Sequence, residues 1–95
     1  MAVRVLIERV IDLGQEARLS QLLTQLRSKA LEAKGYISGE TLRAWDNPNK
    51  FLVISTWNSF EDWKAWQNHP ERKKFEAEVN KLLRSPETAT VYTQI

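Results

Sequence analysis

Residues 36–66 have the sequence YISGETLRAWDNPNKFLVISTWNSFEDWKAW, which predicts a hairpin followed by a helix. The two strands span Tyr36–Trp45 and Lys50–Trp57, and the second is apolar on both faces over Phe51-Leu52-Val53-Ile54. Asp46-Asn47-Pro48-Asn49 between them is a predicted turn, because proline fixes φ and Asp and Asn tolerate left-handed geometry. Two strands joined by so short a turn predict an antiparallel hairpin.

The helix after the hairpin carries a stripe of large aromatic side chains. Asn58 or Ser59 caps its first turn, since an acidic residue follows at the third helical position. The apolar positions, three residues apart, are Phe60, Trp63 and Trp66. This spacing predicts a helix that covers one face of the sheet.

The rest of the chain supplies two more strands and two more helices. Val3–Ile11 has β-branched residues at every second position and predicts a strand. A helix begins within Asp12–Gln15, carries a stripe of leucine and alanine, and ends at Lys34, where a glycine follows. Another helix is predicted over Pro70–Arg84 and a last strand over Thr88–Gln94.

The predicted order, β-α-β-β-α-α-β, is that of the α+β ferredoxin-like βαββαβ fold with its second helix divided in two. Right-handed crossovers put all helices on one face of a four-stranded antiparallel sheet. The other face then keeps apolar side chains uncovered, and a patch of that size is unusual on a soluble monomer. We therefore predict one domain over residues 1–95 that forms a two-fold homodimer, sheet against sheet.

Composition excludes several classes of protein. The 95 residues include no Cys and one His, which excludes a disulfide framework, a Cys nucleophile, a Cys-based zinc site and a two-His metal site within one chain. No run of about 18 apolar residues and no secretory signal is found, so we expect no membrane span and a cytoplasmic location.

The charge pattern gives no sign of nucleic-acid binding. The 14 Lys and Arg are nearly balanced by 12 Asp and Glu. On the helix over residues 70–84, Arg72 and Glu76, and likewise Lys74 and Glu78, are four residues apart, which predicts a solvent-exposed helix face with ion pairs of both signs. Nucleic acid requires a surface of a single sign, so no nucleic-acid partner is expected.

Three segments resemble the antibiotic biosynthesis monooxygenase (ABM) domain family: Ser55-Thr56-Trp57-Asn58-Ser59, Asp62-Trp63-Lys64-Ala65-Trp66 and His69-Pro70. The resemblance implies a dimeric α+β barrel with a pocket between the sheet and the helices of each subunit. Members of the family oxidise aromatic polyketide intermediates without metal or flavin, degrade haem, rearrange small metabolites, or have no known activity. The resemblance thus implies a monooxygenase that uses O₂ and no cofactor on a small hydrophobic, quinol-like or polyketide-like substrate. The alternative is a non-catalytic dimer that binds small ligands or is associated with stress.

The haem-degrading branch of the family is disfavoured by the residues at its functional positions. That branch uses an Asn on the first strand, a Trp on the short helix and a His, the axial iron ligand, on the next helix. Trp66 matches the Trp position, whereas Glu8 stands at the Asn position and Glu76 at the His position. His69 lies several residues too early to replace the missing ligand.

His69 and Glu8 are the candidate catalytic residues. His69 is the only side chain that ordinarily titrates near neutrality, so it could accept a phenolic proton and leave a substrate that reduces O₂; alternatively, it only caps the chain at a helix break. Glu8 is a charge in a mostly apolar strand, and it is a base or a hydrogen-bond acceptor if it faces the pocket. If it faces the dimer seam, its partner is an arginine: Arg4, Arg9 or Arg43.

The candidate substrate-binding residues are Trp66, Trp57, Tyr92 and Phe75. Trp66 is expected to stack on a flat aromatic substrate, Trp57 and Tyr92 to line the pocket mouth. For each, packing in the core is the alternative role. A cavity of about 300 Å³ or more, lined by Trp66 and a candidate proton acceptor, would favour an enzyme. A fully packed interface between helices and sheet would favour the non-catalytic dimer.

Overall fold

Four strands and three helices make up the computed structural model, which describes residues 1–95. They are β1 (Val3–Val10), α1 (Glu16–Ala30), β2 (Tyr36–Ala44), β3 (Asn47–Trp57), α2 (Phe60–Gln67), α3 (Pro70–Asn80) and β4 (Thr88–Thr93). The sheet order is β2-β3-β1-β4, and all three pairings are antiparallel. The predicted ferredoxin-like arrangement is therefore confirmed.

The strand β1 lies in the middle of the sheet, and its two faces differ sharply. Val3, Val5, Ile7 and Arg9 are buried on the face that the helices cover. The residues between them alternate to the other face, because successive side chains of a strand point in opposite directions. Arg9, although charged, thus lies at one of the alternating positions of β1 that face the core.

The hydrophobic core forms two clusters between the sheet and the helices. The larger one contains Trp57, Trp63 and Trp66, packed on Val3 and Val5 of β1 and on other apolar residues of the sheet and α1. The smaller contains Ile11, Leu19, Leu22 and Val79 and lies where α1 meets α3. A cavity beside the three tryptophans adjoins the larger cluster.

The helix α1 ends at Ala30, four residues before the predicted end at Lys34. After it the chain tightens into short turns, with the Ala33 N–H donating to the Ala30 carbonyl at 2.9 Å. Gly35 then takes φ = +84°, and its carbonyl accepts from the N–H of Asn58 at 2.7 Å. This bond joins the entrance of β2 to the end of β3.

The helix α3 also ends early, at Asn80 rather than Arg84. The residues that follow bond instead to the end of β1: the Arg84 N–H donates to the Val10 carbonyl, and the Asp12 N–H to the Leu82 carbonyl, each at 2.8 Å. These bonds end the helix because they turn the backbone away from its axis. The hairpin loop is likewise shorter than predicted, since Ala44 pairs directly with Asn47.

The helix-free face of the sheet carries an apolar patch formed by Leu6, Leu42, Leu52, Ile54 and Tyr92. Leu6 pairs with Ile54 and Leu42 with Leu52, so the patch runs across three strands, with Tyr92 on the fourth. Leu42 is 45 % exposed and Tyr92 52 % exposed. The sequence predicted such an uncovered face.

None of the three helices combines the length and the apolar composition that crossing a membrane requires.

Candidate functional site

Three tryptophans form the aromatic wall of the site. Trp57 ends β3, and Trp63 and Trp66 lie three residues apart on α2. The Oγ of Ser59 accepts from the N–H of Asp62 at 3.1 Å, and this cap fixes where α2 begins and which of its sides faces the sheet. The ring of Trp57 stacks on Trp66 at 6.4 Å between centroids and meets Trp63 at 5.9 Å.

The ring of Trp57 is held from both sides. Its Nε1–H donates to the Oγ of Ser55 at 3.0 Å, and Tyr36 meets it edge-on at 5.2 Å. The buried indole N–H is therefore satisfied and the ring is fixed in one orientation.

A cavity of about 70 Å³ lies between α1 and the sheet, beside these rings. Its apolar wall includes Ile7, Leu26, Val53, Trp57, Trp63 and Trp66. Its polar wall includes Tyr36, Ser55, Arg9, Arg27 and Arg72. The mouth lies at Arg27, which is exposed. Glu40 also borders the cavity, but it pairs with Ile54, so its carboxylate points to the helix-free face.

Arg72 is buried although it is charged. It is 8 % exposed, and its guanidinium lies 5.1 Å from the centre of the Trp63 ring. Its nearest carboxylate oxygen, Oε1 of Glu76, is 3.5 Å away, which is too long for a good hydrogen bond. Burial lowers the pKa of Arg72, and the nearby Glu76 and Glu87 offset part of this effect.

Arg9, in contrast, has two close partners. Its guanidinium donates to Oε1 of Glu76 at 2.8 Å and to Oε1 of Glu87 at 3.1 Å. Burial raises the pKa of Glu76 against the attraction of Arg9, and the neighbouring carboxyl of Glu87 raises it further. Arg9, Arg72, Glu76 and Glu87 thus form an ion cluster, in which Arg9 and Arg72 line the cavity and Arg72, Glu76 and Glu87 line an open groove beside α3.

Comparison with known proteins identifies the family of this chain. The family model described as antibiotic biosynthesis monooxygenase matches residues 2–78. The chain belongs to the antibiotic biosynthesis monooxygenase family.

Relatives of this ABM protein are similar in fold but distant in sequence. Protein SchA of Streptomyces halstedii is 28 % identical over 69 residues, which cover 73 % of this chain but only 18 % of SchA. A conserved protein from Methanosarcina mazei Go1 superposes with a TM-score of 0.94 at 15 % identity, covering 100 % of this chain and 94 % of that one. SnoaB, a cofactor-independent oxygenase from Streptomyces nogalater, gives 0.89 at 15 % identity, covering 99 % and 93 %. At such identities these structures show the fold alone.

Two of the candidate substrate-binding residues of this ABM protein line the cavity. Trp66 and Trp57 come together there, as described above. Phe75 packs at the junction of the two core clusters and is not among the lining residues. Tyr92 projects from the helix-free face, because it pairs with Arg4 on the side of β1 that points away from the helices.

Neither candidate catalytic residue lines the cavity. Glu8 points to the helix-free face, where its carboxylate lies 3.7 Å from Nζ of Lys50 rather than beside an arginine. His69 is exposed and caps α3, with Nδ1 accepting from the N–H of Glu71 at 3.1 Å. Its ring lies 5.5 Å from that of Trp66, in a separate surface groove. The catalytic roles of both residues stay predictions.

The ion cluster was not predicted from the sequence. The prediction that Arg72 and Glu76 lie on a solvent-exposed helix face was wrong, because both are 8 % exposed and α3 turns them towards Arg9. A signal was present in β1: Arg9 has the same parity as the buried Val5 and Ile7. A buried arginine requires carboxylates nearby, and residues of α3 could supply them.

The site does not fit haem. Glu76 stands where the haem-degrading branch has its axial ligand. Its Oε1 forms an ion pair with Nη2 of Arg9 at 2.8 Å, so it is not free to bind iron. A cavity of about 70 Å³ is also far smaller than the roughly 300–1,000 Å³ of pockets for drug-sized ligands, and haem is larger still. No three side chains of the metal-binding types His, Asp and Glu lie close enough to hold a metal ion.

Proposed function

We propose that this chain is a cofactor-independent monooxygenase that oxidises a small, hydroquinone-like aromatic substrate with O₂. One observation carries the proposal: a cavity walled by stacked tryptophans on one side and by arginines on the other. Aromatic walls bind a flat ring, and cations beside it stabilise the anion that must form before O₂ can react. Membership of the antibiotic biosynthesis monooxygenase family supports the same reaction class.

The proposed reaction needs no reductant besides the substrate. A hydroxyl of the hydroquinone loses its proton, and the ring carbon next to it becomes electron-rich. That carbon transfers electrons to O₂ and forms a C–O bond as a peroxide. The O–O bond then breaks, one oxygen stays on the ring, and the other leaves as water with two protons. Hydroquinone plus O₂ thus gives hydroxyquinone plus water.

The cavity residues have distinct proposed roles in this sequence. Trp66 and Trp57 stack on the ring and hold it away from bulk water. Arg27 lowers the pKa of the substrate hydroxyl, because a nearby positive charge favours the phenolate. His69 remains the proposed proton acceptor, and the distance of 5.5 Å between its ring and that of Trp66 supports this role.

Oxygen uptake with single-ring hydroquinones, in the presence of a metal chelator, tests the proposal. We expect turnover with one atom of ¹⁸O₂ in the product and one in water. Trp66→Phe should reduce turnover by about threefold to tenfold, the value of one ring–ring contact, whereas Trp45→Phe at the exposed hairpin tip should not. Absence of uptake with substrates that bind would refute the proposal.

The same assay tests the two predicted proton acceptors. If His69 or Glu8 is a general base, His69→Ala or Glu8→Gln should lower turnover about a hundredfold or more. Wild-type turnover in a variant removes that residue from the mechanism.

A second function, a ligand-binding dimer without catalysis, is favoured by the size of the cavity. About 70 Å³ is well below the roughly 300 Å³ expected for an enzyme pocket, and neither candidate proton acceptor lines it. Binding of hydroquinones without oxygen uptake would establish this alternative.

We also propose that the chain forms a homodimer through the apolar patch on the helix-free face. Leu42, Leu52 and Ile54 are apolar, adjacent across the strands and not covered by the helices. Leu52→Asp should convert a dimer to a monomer in sedimentation velocity, because the patch would bury an unpaired charge. A wild-type monomer at micromolar concentration would refute the dimer.

A further inference from the structure

We infer that the ligand of the cavity is a single-ring aromatic carboxylate and that Arg72 is the residue that selects its charge. This inference deepens the proposed function by naming the substrate class, and it rests on that function for the location of the site. Three features support it: the pairing of Arg72, the size of the cavity and the charges of its walls.

The pairing of Arg72 is incomplete. The side chain is more than nine-tenths buried and makes no hydrogen bond within the chain, and its only close carboxylate oxygen lies 3.5 Å away. Its unpaired nitrogens keep contact with solvent, because no fully buried side-chain nitrogen or oxygen lacks a hydrogen-bond partner. Burial of a charge is unfavourable unless a counter-charge and hydrogen bonds compensate it. Arg72 lines the cavity as well as an open surface groove beside α3, and an anion bound in the cavity would replace solvent as the partner of its guanidinium.

The neighbouring arginine explains why Arg72, rather than Arg9, is open to a ligand. Oε1 of Glu76 lies 2.8 Å from Arg9 and 3.5 Å from Arg72, so this carboxylate serves Arg9 first. Glu87 also bonds to Arg9, at 3.1 Å. Arg9 therefore has its partners, and Arg72 has a partial one.

The chemistry of the guanidinium favours a carboxylate. A guanidinium is planar and presents parallel N–H donors that match the two oxygens of a carboxylate. The Arg72 guanidinium lies over the Trp63 ring at 5.1 Å, and this cation–π contact restrains its position. Arg27 at the mouth adds a second positive charge that attracts an anion into the cavity.

The size of the cavity favours a single ring. About 70 Å³ lies between the tryptophan wall and α1, which is narrow beside the pockets that hold drug-sized ligands. A benzoate-like molecule has one flat face for Trp66 and one charged edge for Arg72. A dihydroxybenzoate would combine this recognition with the oxidation proposed above.

Binding can be measured without catalysis. In a Trp45→Phe background the remaining fluorescence comes from the three tryptophans beside the cavity. Anaerobic titration should show that benzoate binds about tenfold or more tightly than benzamide, its uncharged isostere, and than phenol, since a hydrogen-bonded charge contributes that much. Equal affinity for benzoate and benzamide would overturn the inference.

Three variants identify the residue responsible. Arg72→Met should remove the preference for benzoate over benzamide, and Arg72→Lys should retain only part of it. Glu76→Gln should raise the affinity for benzoate several-fold, because it removes the carboxylate that competes for Arg72. Arg18→Met, on the exposed side of α1, is the matched control and should change nothing. A full preference in Arg72→Met with unchanged circular dichroism would overturn the inference.

Failure of this inference and failure of the proposed function give different results. Tight binding of benzoates without oxygen uptake from dihydroxybenzoates refutes the oxygenase and supports the carboxylate site. Oxygen uptake with hydroquinones that is no faster with a ring carboxylate, combined with equal affinity for benzoate and benzamide, supports the oxygenase and refutes the carboxylate site.

Discussion

Replacing Arg9 with methionine should destabilise the protein strongly. Arg9 is 2 % exposed and is the shared partner of Glu76 and Glu87. Methionine fills much of the same space, so the loss comes from the two carboxylates that remain without their counter-charge. Removal of one partner from a buried ion pair costs about 3–5 kcal/mol.

The lower end of that range applies here. Glu87 retains 20 % exposure of its side chain, so water compensates part of its loss, and Arg72 stays near Glu76. We therefore expect the free energy of unfolding to fall by about 3 kcal/mol, which corresponds to a decrease in melting temperature of about 12–24 °C for a domain of this size. Urea unfolding followed by far-UV circular dichroism at neutral pH measures it.

Two comparisons make the assay specific. Arg18→Met removes an exposed arginine from α1 and should change the free energy of unfolding by less than about 0.5 kcal/mol. Adding Glu76→Gln to Arg9→Met should recover part of the loss, because it removes a stranded carboxylate. A loss below about 1 kcal/mol in Arg9→Met, or no recovery in the double variant, would show that the cluster does not contribute as described.

Two further predictions concern Glu76 and Gly35. Folding raises the pKa of Glu76 above its ordinary value of 4.5, so the folded state holds this proton more tightly than the unfolded state. The stability that results is fully present below pH 4.5 and is lost as the pH rises through the raised pKa. Urea unfolding at several pH values should thus show wild type losing stability relative to Glu76→Gln as pH rises from about 4.5 towards neutrality, and parallel curves would contradict it. Gly35→Ala should lose at least about 1–2 kcal/mol in the same assay, because φ is +84° and the added Cβ would overlap the side chain of Asp62; an unchanged midpoint would contradict this.

The fold was predictable because its signals are local. The alternation in Val3–Ile11, the turn residues between the strands of the hairpin and the tryptophan spacing on α2 each depend on neighbouring residues only, and the order of elements then determined the sheet. The ends of α1 and α3 were less accessible. α3 ends at Asn80 because distant backbone groups of β1 capture the residues after it, and periodicity carries no information about such bonds.

The candidate site was predictable only in its aromatic half. Trp57 and Trp66 lie where the sequence suggested, because strand end and helix stripe converge there. The charged half of the site was not predictable. Arg72 and Glu76 have the i,i+4 spacing that is typical of an exposed pair, and only the packing of α3 on the sheet shows that this pair is buried. The direction of Glu8 was not predictable for a similar reason. Alternation along β1 shows which residues share a face with Glu8, but it does not show which face the helices cover.

The ion cluster also orders events during synthesis of the chain. The two carboxylates that pair with Arg9 come much later in the chain: Glu76 lies 67 residues after it and Glu87 lies 78 residues after it. The ribosome therefore releases β1, the central strand, long before the groups that neutralise its buried charge have been made. Until they emerge, Arg9 keeps its hydration shell and the first strand has no stable place in a dry interior. Stable burial of β1 therefore has to follow the synthesis of Glu76 and Glu87.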